Sequence, residues 1–209
     1  MVSSGRRVAT PNAQRPSRRR RDAGPLTLRE FLAWPEREPA LEYIGGQIAE
    51  KMSPSGPHGR LQLVVGSQFD AYLRRTGLGM AFTELRATYD DANPSSLIPD
   101  VSIYLMARIP SKPGGEVADR FTIAPDIAVE IVSPGQSVAD MQRRAARHIE
   151  RGTQIGVVVD PGARRMLLSV DGVTWSSYEG EQAAPFDDVL PGFSLLPDEV
   201  FRSMDVPRR

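Results

Sequence analysis

The sequence predicts a mixed β-sheet flanked by helices, an α/β or α+β fold, and three segments carry this prediction. Residues 155–159 form an apolar run with almost no polar alternation, which is typical of a strand buried on both faces in the middle of such a sheet. Residues 58–75 and 138–151 carry apolar side chains at three- and four-residue spacing, the pattern of amphipathic helices. A central sheet with helices on both sides accounts for all three segments.

Shorter elements are predicted from capping residues, alternation and turns. Thr27, with Glu30 three residues later, is typical of a capping box at the start of a helix over 26–32. Alternating segments on either side of Gly-Gly and of Asp-Gly predict two hairpins, with strands 41–44 and 47–52 and strands 166–170 and 174–178. The other predicted elements, in chain order, are a loop over 53–57, strands over 80–83, 87–89, 98–105 and 123–132, and a terminal helix over 198–204.

The composition restricts the chemistry that the chain can perform. A chain of 209 residues is long enough for one domain with a substantial core. It has no cysteine, which excludes disulfides, thiolate-bound zinc and a cysteine nucleophile. Its two histidines are too few for a multi-histidine zinc site, so carboxylates become the expected ligands of a hard cation such as Mg²⁺.

Charge is distributed unevenly between the first residues and the rest. Residues 1–24 contain seven arginines against one aspartate, a net charge of +6, so residues 25–209 carry −6. We interpret 1–24 as a disordered Arg-rich tail, either a solvated extension or a contact for phosphates, and 25–209 as one domain. The chain has no apolar run near the roughly 18 residues of a membrane-spanning helix, and the tail lacks the apolar stretch of a secretory signal. We therefore expect a cytoplasmic protein that does not contact a membrane.

Two acidic residues stand in apolar strands. Asp100 lies at the start of a predicted strand, and Glu130 lies inside another. Burying an unpaired carboxylate costs several kcal/mol, so each acid needs a cation, a metal or hydrogen-bond donors beside it. For one acid alone, an ordinary salt bridge or a strand-end turn explains the pattern. If the two strands are neighbours, however, both carboxylates can share a divalent ion that activates water for phosphodiester hydrolysis.

Four short motifs, in this order and spacing, resemble a known family. The motifs are Leu41-Glu42-Tyr43-Ile44 with Gly46, Lys51-Met52-Ser53-Pro54 with His58, Pro99-Asp100-Val101-Ser102, and Val129-Glu130-Ile131-Val132-Ser133-Pro134. The series continues through Asp140 and Gly152 to Val158-Val159-Asp160-Pro161, so it covers roughly residues 27–200. It resembles the Uma family of proposed restriction endonucleases, within the PD-(D/E)XK nuclease superfamily.

The resemblance implies a restriction-endonuclease-like fold and a metal-dependent endonuclease, a hydrolase that cleaves DNA with Mg²⁺ or Mn²⁺. Asp100 and Glu130 match the metal-binding acids of the family, and the carbonyl of Ile131 would be a third ligand. Glu42 matches the acid of the first motif and would face the same site. A homodimer is expected mainly from the same resemblance.

One position departs from the superfamily pattern. A lysine normally stands two residues after the second acid, where this chain has Val132. In Uma-type sequences that lysine is displaced to the following helix, and counting back from Gly152 gives Arg144 for the lysine and His148 for a nearby aromatic residue. Arginine can hold a phosphate or polarise a water, but it is not a base at ordinary pH. We therefore predict Arg144 as the substitute; the alternative is a catalytically impaired nuclease-fold protein that binds nucleic acid or a protein partner.

Three further observations leave alternatives open. Lys51, one of two lysines among 26 basic residues, is another candidate cation if the hairpin folds over the site. Asp140, Arg144 and His148 follow one another at four-residue steps on one helix face, which is either a surface ladder of charges or faces the site. His58, at the start of a helix, either contacts phosphate or has a structural role.

Overall fold

The computed structural model describes residues 26–51 and 55–206. The predicted Arg-rich tail, residues 1–24, and positions 53 and 54 of the predicted loop lie outside these ranges. The described elements are α1 (Leu28–Leu32), β1 (Leu41–Ile44), β2 (Gln47–Glu50), α2 (Gly56–Thr76), β3 (Gly79–Thr83), β4 (Ala87–Tyr89), β5 (Ser95–Leu97), β6 (Val101–Leu105), a 3₁₀ helix (Met106–Arg108), β7 (Ile127–Ile131), α3 (Val138–Glu150), β8 (Ile155–Asp160), β9 (Arg165–Ser169), β10 (Ser176–Glu179), β11 (Ala184–Pro185), β12 (Ser194–Leu195) and α4 (Pro197–Arg202).

A six-stranded mixed sheet is the centre of the fold. Its strands stand in the order β10-β9-β8-β7-β6-β3. Strands β7 and β8 run parallel, and every other pair of neighbours is antiparallel. Strand β8 is buried along its whole length, as the apolar run at 155–159 predicted. The predicted mixed sheet is therefore confirmed.

Helices α2 and α3 cover opposite faces of this sheet. Alternate residues of a strand point to opposite faces. Val157 and Val159 of β8 pack in one cluster with Leu61 of α2, whereas Val158 packs in another cluster with Met141 of α3. The core therefore has two layers, one on each face of the sheet. No helix in the described ranges combines the length and the apolar character that crossing a membrane requires.

A second, four-stranded sheet joins the first at one point of the chain. Its order is β2-β1-β5-β4, and its neighbouring strands are antiparallel. From β5 the chain passes through Ile98, Pro99 and Asp100 directly into β6 of the large sheet. Since β5 also pairs with β1, the predicted hairpin β1–β2 is held beside the beginning of β6.

Several predicted boundaries differ from the structure; the predicted strand over 123–132, for example, is the shorter β7 (Ile127–Ile131). Two of the differences have a local reason. Residues 98–105 do not form one strand, because Pro99 has no N–H group to donate and the N–H group before it donates to a carboxylate instead. The predicted loop over 53–57 ends earlier, since Ser55 caps α2 and Pro57 is tolerated in the first helical turn. Strands β5, β11 and β12, of two or three residues each, were not predicted.

Gly79, at the start of β3, leaves no room for a side chain. A Cβ atom there would lie 2.2 Å from the carbonyl oxygen of Tyr104 in the neighbouring strand β6. We expect Gly79→Ala to lower the free energy of unfolding by about 1–3 kcal/mol, measured by urea denaturation, because the backbone must shift to admit the methyl group. Gly59→Ala is the matched control, since a Cβ atom there meets nothing within 4 Å and alanine favours helix α2. Equal stability of the two variants would contradict the close pairing of β3 with β6.

Candidate active site

Asp100 and Glu130 meet because β6 and β7 are antiparallel neighbours. The register pairs Val101 with Val129, so Asp100 stands opposite Glu130 at the next position. The N–H group of Asp100 donates to the carbonyl oxygen of Val129 at 3.0 Å, which extends the pairing as far as the acids. The two residues are only 2% and 1% exposed, and the charge of Asp100 acts on Glu130. The structure therefore brings together the two acids that the sequence singled out.

The Asp100 carboxylate is surrounded by donors. Its Oδ1 atom lies 2.8 Å from Nζ of Lys51 and 3.4 Å from Nε2 of His58. Its Oδ2 atom accepts a hydrogen bond from the N–H group of Ile131 at 2.6 Å. Burial alone would raise the pKa of Asp100, but the Lys51 ammonium and the His58 ring hold that pKa well below its ordinary value. Asp100 is therefore ionised at neutral pH.

Glu130 is held by two side chains of helix α3. Nε of Arg144 donates to Oε2 of Glu130 at 3.1 Å, and Nε2 of His148 lies 3.2 Å from Oε1. Because a carboxylate only accepts hydrogen bonds, this contact places a proton on Nε2 of His148. Burial and the nearby Asp100 charge would raise the pKa of Glu130, but Arg144 and His148 bring it below its ordinary value. Helix α3 thus supplies the counter-charge of the second acid.

Glu42, from β1, adds a third carboxylate. Its two oxygens accept hydrogen bonds from Nη1 and Nη2 of Arg144 at 2.6 and 3.0 Å, so one planar guanidinium spans Glu42 and Glu130. Oε1 of Glu42 also accepts the N–H group of Ile98 at 2.7 Å. The carbonyl oxygen of Ile98 in turn accepts from Nζ of Lys51 at 2.9 Å and from Nη2 of Arg144 at 3.4 Å. The three acids and the two cations therefore belong to one hydrogen-bonded network.

The helical face predicted for Asp140, Arg144 and His148 is divided in the structure. Arg144 and His148 both reach Glu130, as their four-residue spacing allows. Asp140 instead lies in the first turn of α3, where it forms the capping box with Ser137 and an ion pair with Arg143. Two of the three residues face the site, and Asp140 belongs to the surface.

The structure places Lys51, His58 and His148, whose roles the sequence left open, beside the acid pair. Both histidines of the chain and one of its two lysines contact the acid pair. His58 is fixed by a second contact, since its Nδ1 atom lies 2.8 Å from Oγ of Ser133. In the sequence, only the small number of histidines and lysines could have pointed to these three residues. The sequence could not show that the hairpin and the start of α2 lie beside Asp100.

Asp126, the other acid of the predicted strand 123–132, has a structural role. It is completely buried at the end of β7 opposite to Glu130. Its carboxylate forms an ion pair with Arg108 and accepts hydrogen bonds from the N–H group of Leu105 and from Gln154, both at 2.8 Å. These contacts hold the loops at that end of the sheet and do not involve the site.

The donor set fits a divalent ion, although the structure holds no preformed cage for one. Three carboxylates face two permanent cations, so the cluster keeps one uncompensated negative charge when both histidines are neutral. The N–H and C=O groups of a strand residue point to the same side, which puts the carbonyl of Ile131 on the Asp100 side of β7. No group of three or more His, Asp or Glu side chains within 26–51 and 55–206 is arranged to hold a metal. Two carboxylates and a carbonyl suit Mg²⁺, which keeps several of its waters.

The pH dependence of stability follows from the lowered pKa of Asp100. The unfolded chain has the ordinary value near 3.8 and the folded chain a lower one, so the ion pairs of Asp100 stabilise the fold above about pH 4 and are lost as the pH falls through the folded pKa. The pKa of Lys51 is raised above its ordinary 10.5, since Asp100 and Glu130 outweigh the opposing effect of burial, so its charge persists through neutral pH.

We expect the difference in free energy of unfolding between wild type and Asp100→Asn to stay constant from about pH 5 to 9 and to shrink below about pH 4. Urea denaturation in EDTA at each pH measures this difference without interference from bound metal. A difference that already shrinks between pH 7 and 5, on the order of 1 kcal/mol, would show that Asp100 takes up its proton there.

Two comparisons with known proteins identify the family. A family model described as "Uma2: Putative restriction endonuclease" matches residues 28–204. A crystal structure from Anabaena variabilis ATCC 29413, described as "a putative nuclease belonging to DUF820", is 33% identical, with a TM-score of 0.79 over 86% of this chain and 99% of that chain. A search of curated proteins found no match. The family resemblance of the sequence motifs is confirmed, and the chain belongs to the Uma2 family.

Proposed function

We propose that this protein is a DNA endonuclease that uses Mg²⁺ or Mn²⁺ to hydrolyse phosphodiester bonds. The family description and the related crystal structure support a nuclease. For this chain the proposal depends on one observation: Asp100 and Glu130 are buried, ionised and adjacent at the ends of two paired strands. Mg²⁺ is usually held in proteins by one or two carboxylates together with phosphate groups of the substrate, and this pair supplies two such carboxylates.

Asp100, Glu130 and the carbonyl of Ile131 would hold the ion. When bound, a divalent ion supplies a water of lowered pKa and offsets charge that develops on the phosphate. In the hydrolysis a water oxygen forms a bond to phosphorus and the bond to one ester oxygen breaks; the water loses a proton and the ester oxygen leaves with one. Because both acids are already ionised in the folded chain, they bind a cation without first releasing protons.

In this proposal Glu42 and Arg144 orient the carboxylate of Glu130. Arg144 is bidentate to Glu42 and bonded to Glu130, and only 15% of its side chain is exposed. This geometry fixes the direction in which the Glu130 carboxylate faces. The one Nη1 hydrogen that no described contact uses can bind a phosphate oxygen.

The net charge affects how DNA would bind. Residues 25–209 carry a net charge of −6, which disfavours the approach of a polyanion unless cations offset it. We therefore propose that affinity for DNA rises with divalent ions and falls with added salt. The homodimer and the cytoplasmic location remain proposals that rest on the family resemblance and on the sequence.

A second candidate function is a catalytically impaired nuclease-fold protein that binds nucleic acid or a protein partner. The observation that favours it is Arg144, which stands where Uma-type sequences carry a lysine and is already occupied by two acids. An arginine in this place neither accepts a proton nor leaves its partners easily. Cleavage assays distinguish the two candidates.

Replacing either acid of the pair by its amide should abolish cleavage. We expect Asp100→Asn and Glu130→Gln each to lower the rate of plasmid cleavage with Mg²⁺ at least about a thousandfold, because a neutral amide binds a divalent ion poorly. Asp126→Asn is the matched control, since it removes a buried carboxylate at the other end of β7, and its folded fraction should cleave like wild type. Wild-type protein that leaves plasmid and oligonucleotide DNA intact with both ions would contradict the proposed function.

Arg144→Lys separates an active enzyme from an impaired one. A lysine cannot span Glu42 and Glu130 with parallel N–H groups, so we expect cleavage to fall by about threefold to thirtyfold rather than to rise. The measurement is the cleavage rate beside that of wild type at equal folded concentration. A gain of about tenfold or more would show that arginine impairs the natural protein, and would favour the second candidate.

A further inference from the structure

Lys51 is buried where the hairpin meets the large sheet. Its N–H group donates to the carbonyl oxygen of Ala40 at 2.7 Å, which fixes the backbone just after β2. Its side chain runs inward until Nζ lies 2.8 Å from Oδ1 of Asp100 and 2.9 Å from the carbonyl oxygen of Ile98. Burying an ammonium group costs free energy, so the buried position of Lys51 has to be explained by the groups that surround its charge.

The Lys51 ammonium keeps one donor that no described contact uses. An ammonium group has three N–H donors, and the described contacts occupy two of them, at Asp100 and at a backbone carbonyl. The Arg144 guanidinium has five donors, and four are committed to Glu42, to Glu130 and to the same carbonyl. Each cation therefore keeps one donor, but the guanidinium of Arg144 is fixed between Glu42 and Glu130, whereas the spare hydrogen of Lys51 lies beside Asp100.

We propose that Lys51 is the catalytic cation of the site: its ammonium donates a hydrogen bond to the attacking water beside Asp100 and stabilises the negative charge that the water oxygen gains. Arg144 is then a positioning residue that acts through Glu130. This inference rests on the proposed function. The superfamily lysine stands at the strand position of Val132, or at the helix position of Arg144 in Uma-type sequences. In this chain its role would belong to Lys51, at the end of the hairpin.

This role has an experimental signature that a merely structural role lacks. The positive charge of Lys51 lies 2.8 Å from the Asp100 carboxylate and would oppose the binding of a second cation there, so removing this charge should strengthen metal binding. Removing it also takes away the donor that stabilises charge on the water, so it weakens cleavage. Structural damage, in contrast, would weaken metal binding and cleavage together.

The test compares Lys51→Gln and Lys51→Met with wild type, using the full chain. Glutamine keeps amide donors for Asp100 and Ile98 and removes the charge, so it remains informative if the apolar methionine does not fold. We expect both variants to bind Mn²⁺, titrated by electron paramagnetic resonance, about threefold to tenfold more tightly than wild type. We expect their plasmid cleavage with Mn²⁺ to fall by at least about a hundredfold.

Lys112→Gln is the matched control. Lys112 is the second lysine of the chain, and its ion pair is with the exposed Asp119 and not with an acid of the site. This substitution should change neither Mn²⁺ affinity nor cleavage. A Lys51→Gln variant that cleaves within about threefold of wild type, or that loses Mn²⁺ binding together with cleavage, overturns the assignment of Lys51. An active wild type with active Lys51 variants overturns this inference alone, whereas a wild type that binds Mn²⁺ and cuts no DNA overturns the proposed function as well.

Discussion

Neutralisation of buried carboxylates is the constraint on which this structure depends. Glu42, Asp100 and Glu130 are almost completely removed from water, and each of them alone would cost several kcal/mol. Arg144 connects the acid of the hairpin to the acid of β7, and Lys51 connects the hairpin to Asp100. The same ion pairs therefore hold the small sheet against the large one and assemble the candidate site. A change in either cation therefore affects the contact between the two sheets as well as the charge of the candidate site.

Backbone groups released by the break in the strand complete this network. Pro99 separates β5 from β6 along the chain, and Ile98, just before it, lies outside both strands. Its N–H group binds Glu42, and its carbonyl accepts from both Lys51 and Arg144. A continuous strand over 98–105 would have used these groups in a sheet ladder. The interruption thus supplies a donor and an acceptor at the centre of the site.

The sequence predicted those parts of the site that depend on local pattern. The apolar strand patterns located Asp100 and Glu130, the family resemblance located Glu42 and Arg144, and antiparallel pairing of neighbouring strands brings Asp100 and Glu130 together. The contact between Lys51 and Asp100 joins residues 49 positions apart, and it depends on how the hairpin packs on the sheet. No spacing rule contains that information. The role of Asp140 was ambiguous, because its position fits both a row of charges at four-residue spacing and a capping box. In the structure it forms the capping box with Ser137.

The distribution of cations over the site follows from the shapes of their side-chain groups. Val132, at the superfamily position of the lysine, is partly buried and packs against the apolar cluster under α3. At position 144 two acids have to be spanned, which suits a planar fork with parallel donors. Beside Asp100 there is one carboxylate oxygen and one carbonyl, which suits a compact ammonium. Arginine on the helix and lysine on the hairpin are therefore a consistent pair, and exchanging them would leave one acid without its partner.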